Sequence, residues 1–314
     1  MAVNKSPKIV VVGSFMTDLM SKSPHLPSPG ETVMGGPFFL GPGGKGSNQA
    51  IAAAKLGAEV QMVVSLGQDS FGDLAYNALV NWGVGVDFVK RVEGVSTGAA
   101  LIIVDDTSGE NMIVVAPGSN DLLSTEDVER ARQAICAADC VLMQLEIPLA
   151  TVEYTARLAR AAGVRVILDP APGRKLPPEL LTNVDVLTPN ETEAGIVSGI
   201  KVTDLASAEK AARALSSRGP ETVIITLGGG GVLALERGDV MHIPAFQVDV
   251  VDTTGAGDAF NGALGVALAE GMSTFEACRF AAAAAALSVT RVGTSPASPQ
   301  RAEVEELLQK VNQG

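Results

Sequence analysis

The chain reads as an α/β protein: a three-layer fold with a central, mostly parallel sheet flanked by helices, plus a small β-sheet that serves as a lid. Three observations predict this. Short β-branched runs alternate with helical patterns along most of the 314 residues, and that alternation builds parallel strands joined by crossover helices. The strands are solid apolar runs, as a sheet covered on both faces requires. Helical patterns stop at glycine, as at Gly57 and Gly83, the residue that best takes the left-handed turn past a helix end.

Taken in order, residues 9–12 form a first strand, 48–56 a helix, 60–65 a strand and 71–82 a helix. The rhythm continues with a helix at 126–137, a strand at 140–145, a helix at 149–162 and a strand at 164–168. A strand at 184–187, helices at 191–198 and 207–218, and a strand at 222–226 follow. Near the end, a strand-like tail at 246–251 runs into a Gly-rich turn and an apolar helix at 259–268. Two regions break the rhythm. Residues 19–40 are rich in Pro, Gly and Ser, and 97–117 read as a hairpin with strands at 99–104 and 112–116. They are expected to pair into a small sheet covering the active site; the alternative is two surface insertions with no shared role. The lid then takes up about 16–42 and 97–118 of one domain spanning 1–314.

The composition narrows the class. Hydrophobic residues make up 46% and charged residues 18%, which suits a globular protein, and with only 4% aromatics small aliphatic side chains must fill the core. Asp and Glu outnumber Lys and Arg by 35 to 23, a net charge of -12. Such a surface argues against nucleic acid, which needs a basic face. An anionic small substrate stays open, because local donors outweigh a global field. Cys136, Cys140 and Cys278 are too few for a disulfide framework and read as small buried thiols. The N-terminus lacks the apolar core of a leader, and no apolar run reaches membrane-spanning length. These features describe a soluble, cytoplasmic protein with no membrane partner.

The most informative stretch is Asp252-Thr253-Thr254-Gly255-Ala256-Gly257-Asp258-Ala259-Phe260. A small Gly-rich turn at a helix N-terminus presents backbone N–H groups to an anion. Glycine keeps Cβ atoms from holding a phosphate at a distance. Asp258 stands among those donors, where a carboxylate has a task if it orients, and takes a proton from, a hydroxyl attacking a phosphoryl group. Alone, the stretch also reads as a turn with an acidic residue welcomed by the helix dipole.

Further candidates lie elsewhere. Gly41-Pro42-Gly43-Gly44-Lys45-Gly46-Ser47-Asn48 formally matches a dinucleotide fingerprint, but it does not follow the first strand as that motif should. It reads better as a close-approach loop, with Lys45 and Asn48 supplying hydrogen bonds to a polyol. Asp18 and Glu146 lie just past strands, where side chains reach the ligand crevice. Asn190 and Glu193 suit both a capping box and a water-mediated Mg2+ contact. Thr226 with the run Gly228-Gly229-Gly230-Gly231 suits a flat nucleotide face, or else a flexible turn.

Together these motifs resemble the ribokinase family of sugar kinases over essentially the whole chain. Gly43-Gly44-Lys45-Gly46-Ser47-Asn48-Gln49-Ala50 looks like its first signature and Asp252-Thr253-Thr254-Gly255-Ala256-Gly257-Asp258 like its second. Met143-Gln144-Leu145-Glu146, Asp169-Pro170-Ala171-Pro172 and Thr188-Pro189-Asn190-Glu191-Thr192-Glu193 also look like segments of that family. The resemblance implies ATP-dependent phosphorylation of the O5 hydroxyl of D-ribose. By motif match Asp258 is the base, and Gly255, Ala256 and Gly257 form the anion hole. Asp18, Gly44, Lys45, Asn48 and Glu146 hold the sugar, with Met16 where many members carry a sugar-binding Asn. Asn190, Glu193, Thr226, Gly228, Gly231 and Gly257 serve ATP and Mg2+. A K+ ion lies near Asp252, Thr254, Ser288, Arg291, Gly293 and Ala297, and homodimers join through the lid. Ala282 and Asp169 also depart from frequent family residues, His and Asn. Three alternatives are kept: a 2-deoxyribose kinase, a non-catalytic sugar-binding regulator on the same fold, and an NAD-dependent oxidoreductase.

Overall fold

The computed structural model describes residues 6–313. Residues 1–5, most of the N-terminus read above as lacking an apolar leader, lie outside that part. β1 (Lys8–Val12) is followed by β2 (Met16–Ser23), β3 (Phe38–Gly43), α1 (Lys45–Lys55), β4 (Glu59–Gly67), α2 (Ser70–Asn81) and β5 (Gly85–Val92). Next come β6 (Ala99–Asp105), β7 (Asn111–Ala116), a 3-10 turn, α3 (Thr125–Arg130), α4 (Arg132–Cys136) and β8 (Cys140–Met143). The middle of the chain holds α5 (Leu149–Ala161), β9 (Arg165–Leu168), α6 (Pro178–Leu181), β10 (Val186–Leu187), α7 (Glu191–Ser198), α8 (Leu205–Ser216) and β11 (Thr222–Thr226). The C-terminal part adds β12 (Val232–Glu236), β13 (Asp239–Ile243), α9 (Ala256–Ala269), α10 (Thr274–Ser288) and α11 (Arg301–Gln313).

Nine strands form the main sheet in the order β13-β12-β11-β10-β9-β8-β1-β4-β5. From β11 to β5 every neighbouring pair is parallel, and β12 and β13 add antiparallel at one edge. Alternating side chains feed two cores. Ile9 and Val11 pack with Phe260, Ala263 and Ala281 on one face; Val10 and Val12 pack with Val141, Val152 and Ala156 on the other. Small residues let helices approach closely, and a Cβ built on Gly262 of α9 would stand 2.7 Å from the Ala52 Cβ of α1.

The two rhythm-breaking regions do pair. A second sheet has the order β3-β2-β6-β7, with β2 parallel to β6 and the outer pairs antiparallel. Its strand β2 starts four residues after β1 ends, so the sheet springs directly from the carboxyl end of β1.

Some expectations are corrected. The tail at 246–251 is not a strand: residues 244–250 have no regular structure, and Val250 and Val251 are more than half exposed. No neighbouring strand meets this tail; instead the Val251 and Asp252 N–H groups both donate to Val289 O. The helix expected at 126–137 is two, divided at buried Ala131, which ends α3 and begins α4. Both signature helices begin earlier than expected, at Lys45 and Ala256, which puts Asn48 and Asp258 in first turns. Cys140 and Cys278 are buried as expected, but Cys136 is exposed.

Candidate active site

The site gathers at the carboxyl ends of the parallel strands, where ligands of such sheets bind. Gly44 caps α1 with φ 87°, and a Cβ there would stand 2.5 Å from Met16 N. Only glycine combines that positive φ with so close an approach. Glu146, just past β8, accepts the Lys45 N–H at 3.0 Å and the Ser14 hydroxyl at 2.5 Å. A carboxylate on the first free N–H of a helix satisfies a donor and complements the dipole.

Asp258 lies in the first turn of α9, 5% exposed. Its Oδ2 accepts from Asn48 Nδ2 at 2.9 Å and its Oδ1 from Gln49 Nε2 at 3.3 Å. The two signature helices therefore meet at this carboxylate. Asn48 also accepts from the Ser295 hydroxyl at 2.6 Å, which ties the C-terminal loop to the same point. Gln49 Nε2 also donates to Asp169 Oδ2 at 2.9 Å, and Gln144 Nε2 donates to Gln49 Oε1 at 2.6 Å. Gln49, Asp169 and Gln144 were not singled out from the sequence as site residues. Their one signal was position, inside or beside the quoted signature segments.

Charge here is concentrated and shielded from water. Burial raises the Asp258 carboxyl above its ordinary range; Lys45 and Asn48 hold it down, and Glu146 pushes it up. Burial would lower the Lys45 ammonium, but Asp258, Asp169, Glu146 and Glu193 surround it and hold it above its ordinary value. Asp18 of β2 lies against the backbone of Gly43, where a Cβ would stand 2.2 Å from its Oδ2. Burial, Glu146 and Asp258 push its carboxyl up to about 7. Asp169 is pushed well above the ordinary range by burial, with Lys45 opposing. Met16 is buried at 3% exposure, its Sδ 3.5 Å from Asn120 Nδ2.

A second cluster flanks the first. Asn190 caps α7 in a reciprocal capping box with Glu193, the two bonds measuring 2.8 and 2.9 Å. Asn190 also bridges Thr226 at the end of β11. Gly231 has φ 89° and abuts Ile243 O, so the chain itself demands glycine there. At Gly228, Gly229 and Gly257 a Cβ would meet nothing within 4 Å. Gly257 has neither a positive φ nor a crowding neighbour to demand it, and glycine inside a helix costs about 1 kcal/mol. The space beside Gly257 is open among the described residues, and an anion on the α9 N-terminus would fit there. Gly255 takes φ 76° at the N-cap, and Ala256 begins the helix.

Of the residues implied for K+, Asp252 accepts the Thr254 and Gly293 N–H groups, both at 2.9 Å. Burial opposes ionisation, but these bonds outweigh it and hold the Asp252 carboxyl below its usual range. Ser288 ends α10, Ala297 is buried in the following loop, and Arg291 gives its guanidinium to Glu303. A separate cavity of about 510 Å³ opens at the other end of the sheet. Its arginines are already engaged, Arg160 with Asp185, Arg165 with Leu268 O and Arg237 with Glu221, and no residue of either signature lines it.

The description of the pfkB family carbohydrate kinases matches residues 6–301, and the chain belongs to that family. Within it, the chain is similar to ribokinase. The ribokinase of Haemophilus influenzae is 44% identical, covering 96% of this chain and 98% of its own. The deoxyribokinase of Salmonella typhi is 38% identical over the same shares. In three dimensions the chain matches Arabidopsis thaliana ribokinase, solved with ribose and ATP, with a TM-score of 0.90 at 36% identity, covering 97% of this chain and 99% of that one.

Proposed function

We propose that this chain transfers the γ-phosphoryl group of ATP to O5 of D-ribose, giving ribose 5-phosphate and ADP. The observation that carries this reading is the buried carboxylate of Asp258, hydrogen-bonded by Asn48 where both Gly-rich signatures meet. Asp258 takes the proton of the attacking hydroxyl, and O5 bonds to phosphorus as the bond to the ADP oxygen breaks. The N–H groups of Gly255, Ala256 and Gly257 face the charge that develops on the phosphoryl oxygens. Asp18, Gly44, Lys45, Asn48 and Glu146 hold the sugar, and Lys45 balances the carboxylates around it. Asn190, Thr226, Gly228 and Gly231 border the nucleotide. Glu193 would hold Mg2+ through water, and the ion, when bound, neutralises phosphate oxygens. Asp252, kept ionised, suits a monovalent cation shared with oxygens of Thr254, Ser288, Arg291, Gly293 and Ala297, which would stiffen the turn that carries the anion hole. On this reading the protein works in the cytoplasm, as a homodimer joined through the lid.

The test is ADP release with ATP, Mg2+ and a panel of pentoses and hexoses. Ribose is expected to lead. A lead for 2-deoxyribose would favour the second reading, which the Met16 substitution at the head of β2 supports. Ribose binding without ADP release would favour a regulator, and NADH formed with any sugar an oxidoreductase. Replacing K+ by a large organic cation at equal ionic strength is expected to slow turnover; equal rates would remove K+ from the scheme.

A further inference from the structure

The side chain of Gln49 has no assigned part in phosphoryl transfer, yet it is the most constrained polar group beside the proposed base. It is 1% exposed. Its two N–H bonds go to two carboxylates, Asp258 Oδ1 at 3.3 Å and Asp169 Oδ2 at 2.9 Å. Its oxygen receives Gln144 Nε2 at 2.6 Å. With both carboxyl groups as acceptors the amide is set one way round: turned over, it would present oxygen to their oxygens and nitrogen to the Gln144 nitrogen. Gln144 keeps that orientation at a cost to itself. Its Oε1 is buried with no hydrogen-bond partner among the described residues, and a Cβ on Gly13 would lie 2.2 Å from it. The backbone beneath is fixed too, since α9 presses on Gln49 O, 2.7 Å from where a Cβ on Gly262 would lie.

We infer that Gln49 is a positioning residue for Asp258, with Asp169 and Gln144 as its anchors. Asn48 holds one carboxylate oxygen and Gln49 the other, so the plane of the base is set before substrate arrives. The inference rests on Asp258 being the base. The charges facing Asp258 are Lys45 of α1, Asp18 of β2, Glu146 beyond β8 and Asp169 beyond β9, with Glu193 of α7 acting on Lys45 and Asp169. Gln49 adds an uncharged donor that favours the ionised base.

The experiment compares kcat, KM for ribose and the pH profile of kcat in folded variants, with folding checked by thermal melts. Gln49→Leu is expected to lower kcat about 10²-fold, the cost of a misplaced reacting group, while KM for ribose changes little. Its acid limb moves to higher pH, because a bond to the charged form is lost. Asp169→Leu should lower kcat in the same way, and Asp169→Asn, which keeps an acceptor for Gln49, should restore most of it. If Gln49→Leu does not fold, Gln49→Glu keeps the shape, replaces the donor by an acceptor and gives the same loss. Wild-type kcat and acid limb in a folded Gln49 variant, with Asp258→Asn inactive, overturn the positioning role alone. Full activity in Asp258→Asn overturns the base itself and this inference with it.

Discussion

With Asp18 holding the sugar as proposed, its protonation connects pH to sugar binding. Its carboxyl is pushed up to about 7 by burial and by Glu146 and Asp258. The sign follows from the raised value: relative to an ordinary Asp, its contribution to stability is fully present at acid pH and is lost as pH rises through about 7. The ionised carboxylate is the stronger acceptor for sugar hydroxyls. KM for ribose is therefore expected to fall as pH rises through about 7, and Asp18→Asn to flatten that dependence; a wild-type KM that does not change with pH would refute it. Asp258→Asn keeps the volume and one acceptor oxygen but cannot take a proton, so kcat should drop by ~10²–10⁴-fold with the melting temperature kept. Near-wild-type turnover in that variant would remove the base. Met16 is packed against Asn120 and Gly98. If its thioether leaves a buried sugar hydroxyl without a partner, at about 1–3 kcal/mol, then Met16→Asn raises the ratio of specificity constants for ribose over 2-deoxyribose. An unchanged ratio leaves Met16 as packing for Asn120. Asp258 and Asn48 were legible because each stands among glycines where a helix begins. Asp169 and Gln144 were not, since their relation to Gln49 spans 120 and 95 residues and exists only once the strands align.

Among elements, the parallel part of the sheet was readable because its strands are buried on both faces and therefore nearly all apolar. β5, β12 and β13 escaped notice: β5 and β13 are less buried edge strands, whereas β12 is apolar and buried but follows a glycine run that reads as a loop. The apolar run of β5 is broken by Asp87, Lys90 and Arg91, and β12 and β13 turn at Arg237 and Gly238, φ 49° and 98°, a pair that is not the Asn-Gly signal. The tail at 246–251 looked like a strand by composition, but strands need neighbours, and the N–H of its last residue, Val251, goes to Val289 O instead. Where the elements cross decides the site. α1 and α9 touch at Gly262, with Ala52, Ala53 and Gln49 O opposite. Gly262→Ala puts a Cβ 2.7 Å from Gln49 O, and overpacking of this kind costs about 1–3 kcal/mol. Because the same contact bears on the backbone of Gln49, which bonds Asp258, the variant should melt earlier and also lose kcat. Lowered stability with wild-type kcat would show that the crossing carries no information to Asp258.

At the scale of the whole molecule, the small sheet is the part that does not complete itself. All six residues of β7 are exposed, Val114 at 66% and Ile113 at 53%. Leu101 of β6 and Phe38, Phe39 and Leu40 of β3 are also open. Strands alternate, so exposure on both faces of β7 means that neither side of this edge is covered. A four-stranded sheet needs an apolar face packed on something, and a contiguous apolar patch of this kind marks an interaction surface. One face looks toward the sugar site, which a substrate partly covers. For the other, a second copy presents the same apolar patch, as a two-fold interface requires, and would cover it. The acidic net charge of -12 disfavours broad contact between two copies, so the contact should be confined to this apolar sheet. The protein is expected to run in light scattering at twice its 32.1 kDa chain mass at micromolar concentration. Val114→Lys with Ile113→Asp should yield monomers with a raised KM for ribose, because the lid loses its outer support. A wild-type monomer, unchanged by ribose, would leave the exposed face of β7 without a partner and end the argument for a dimer.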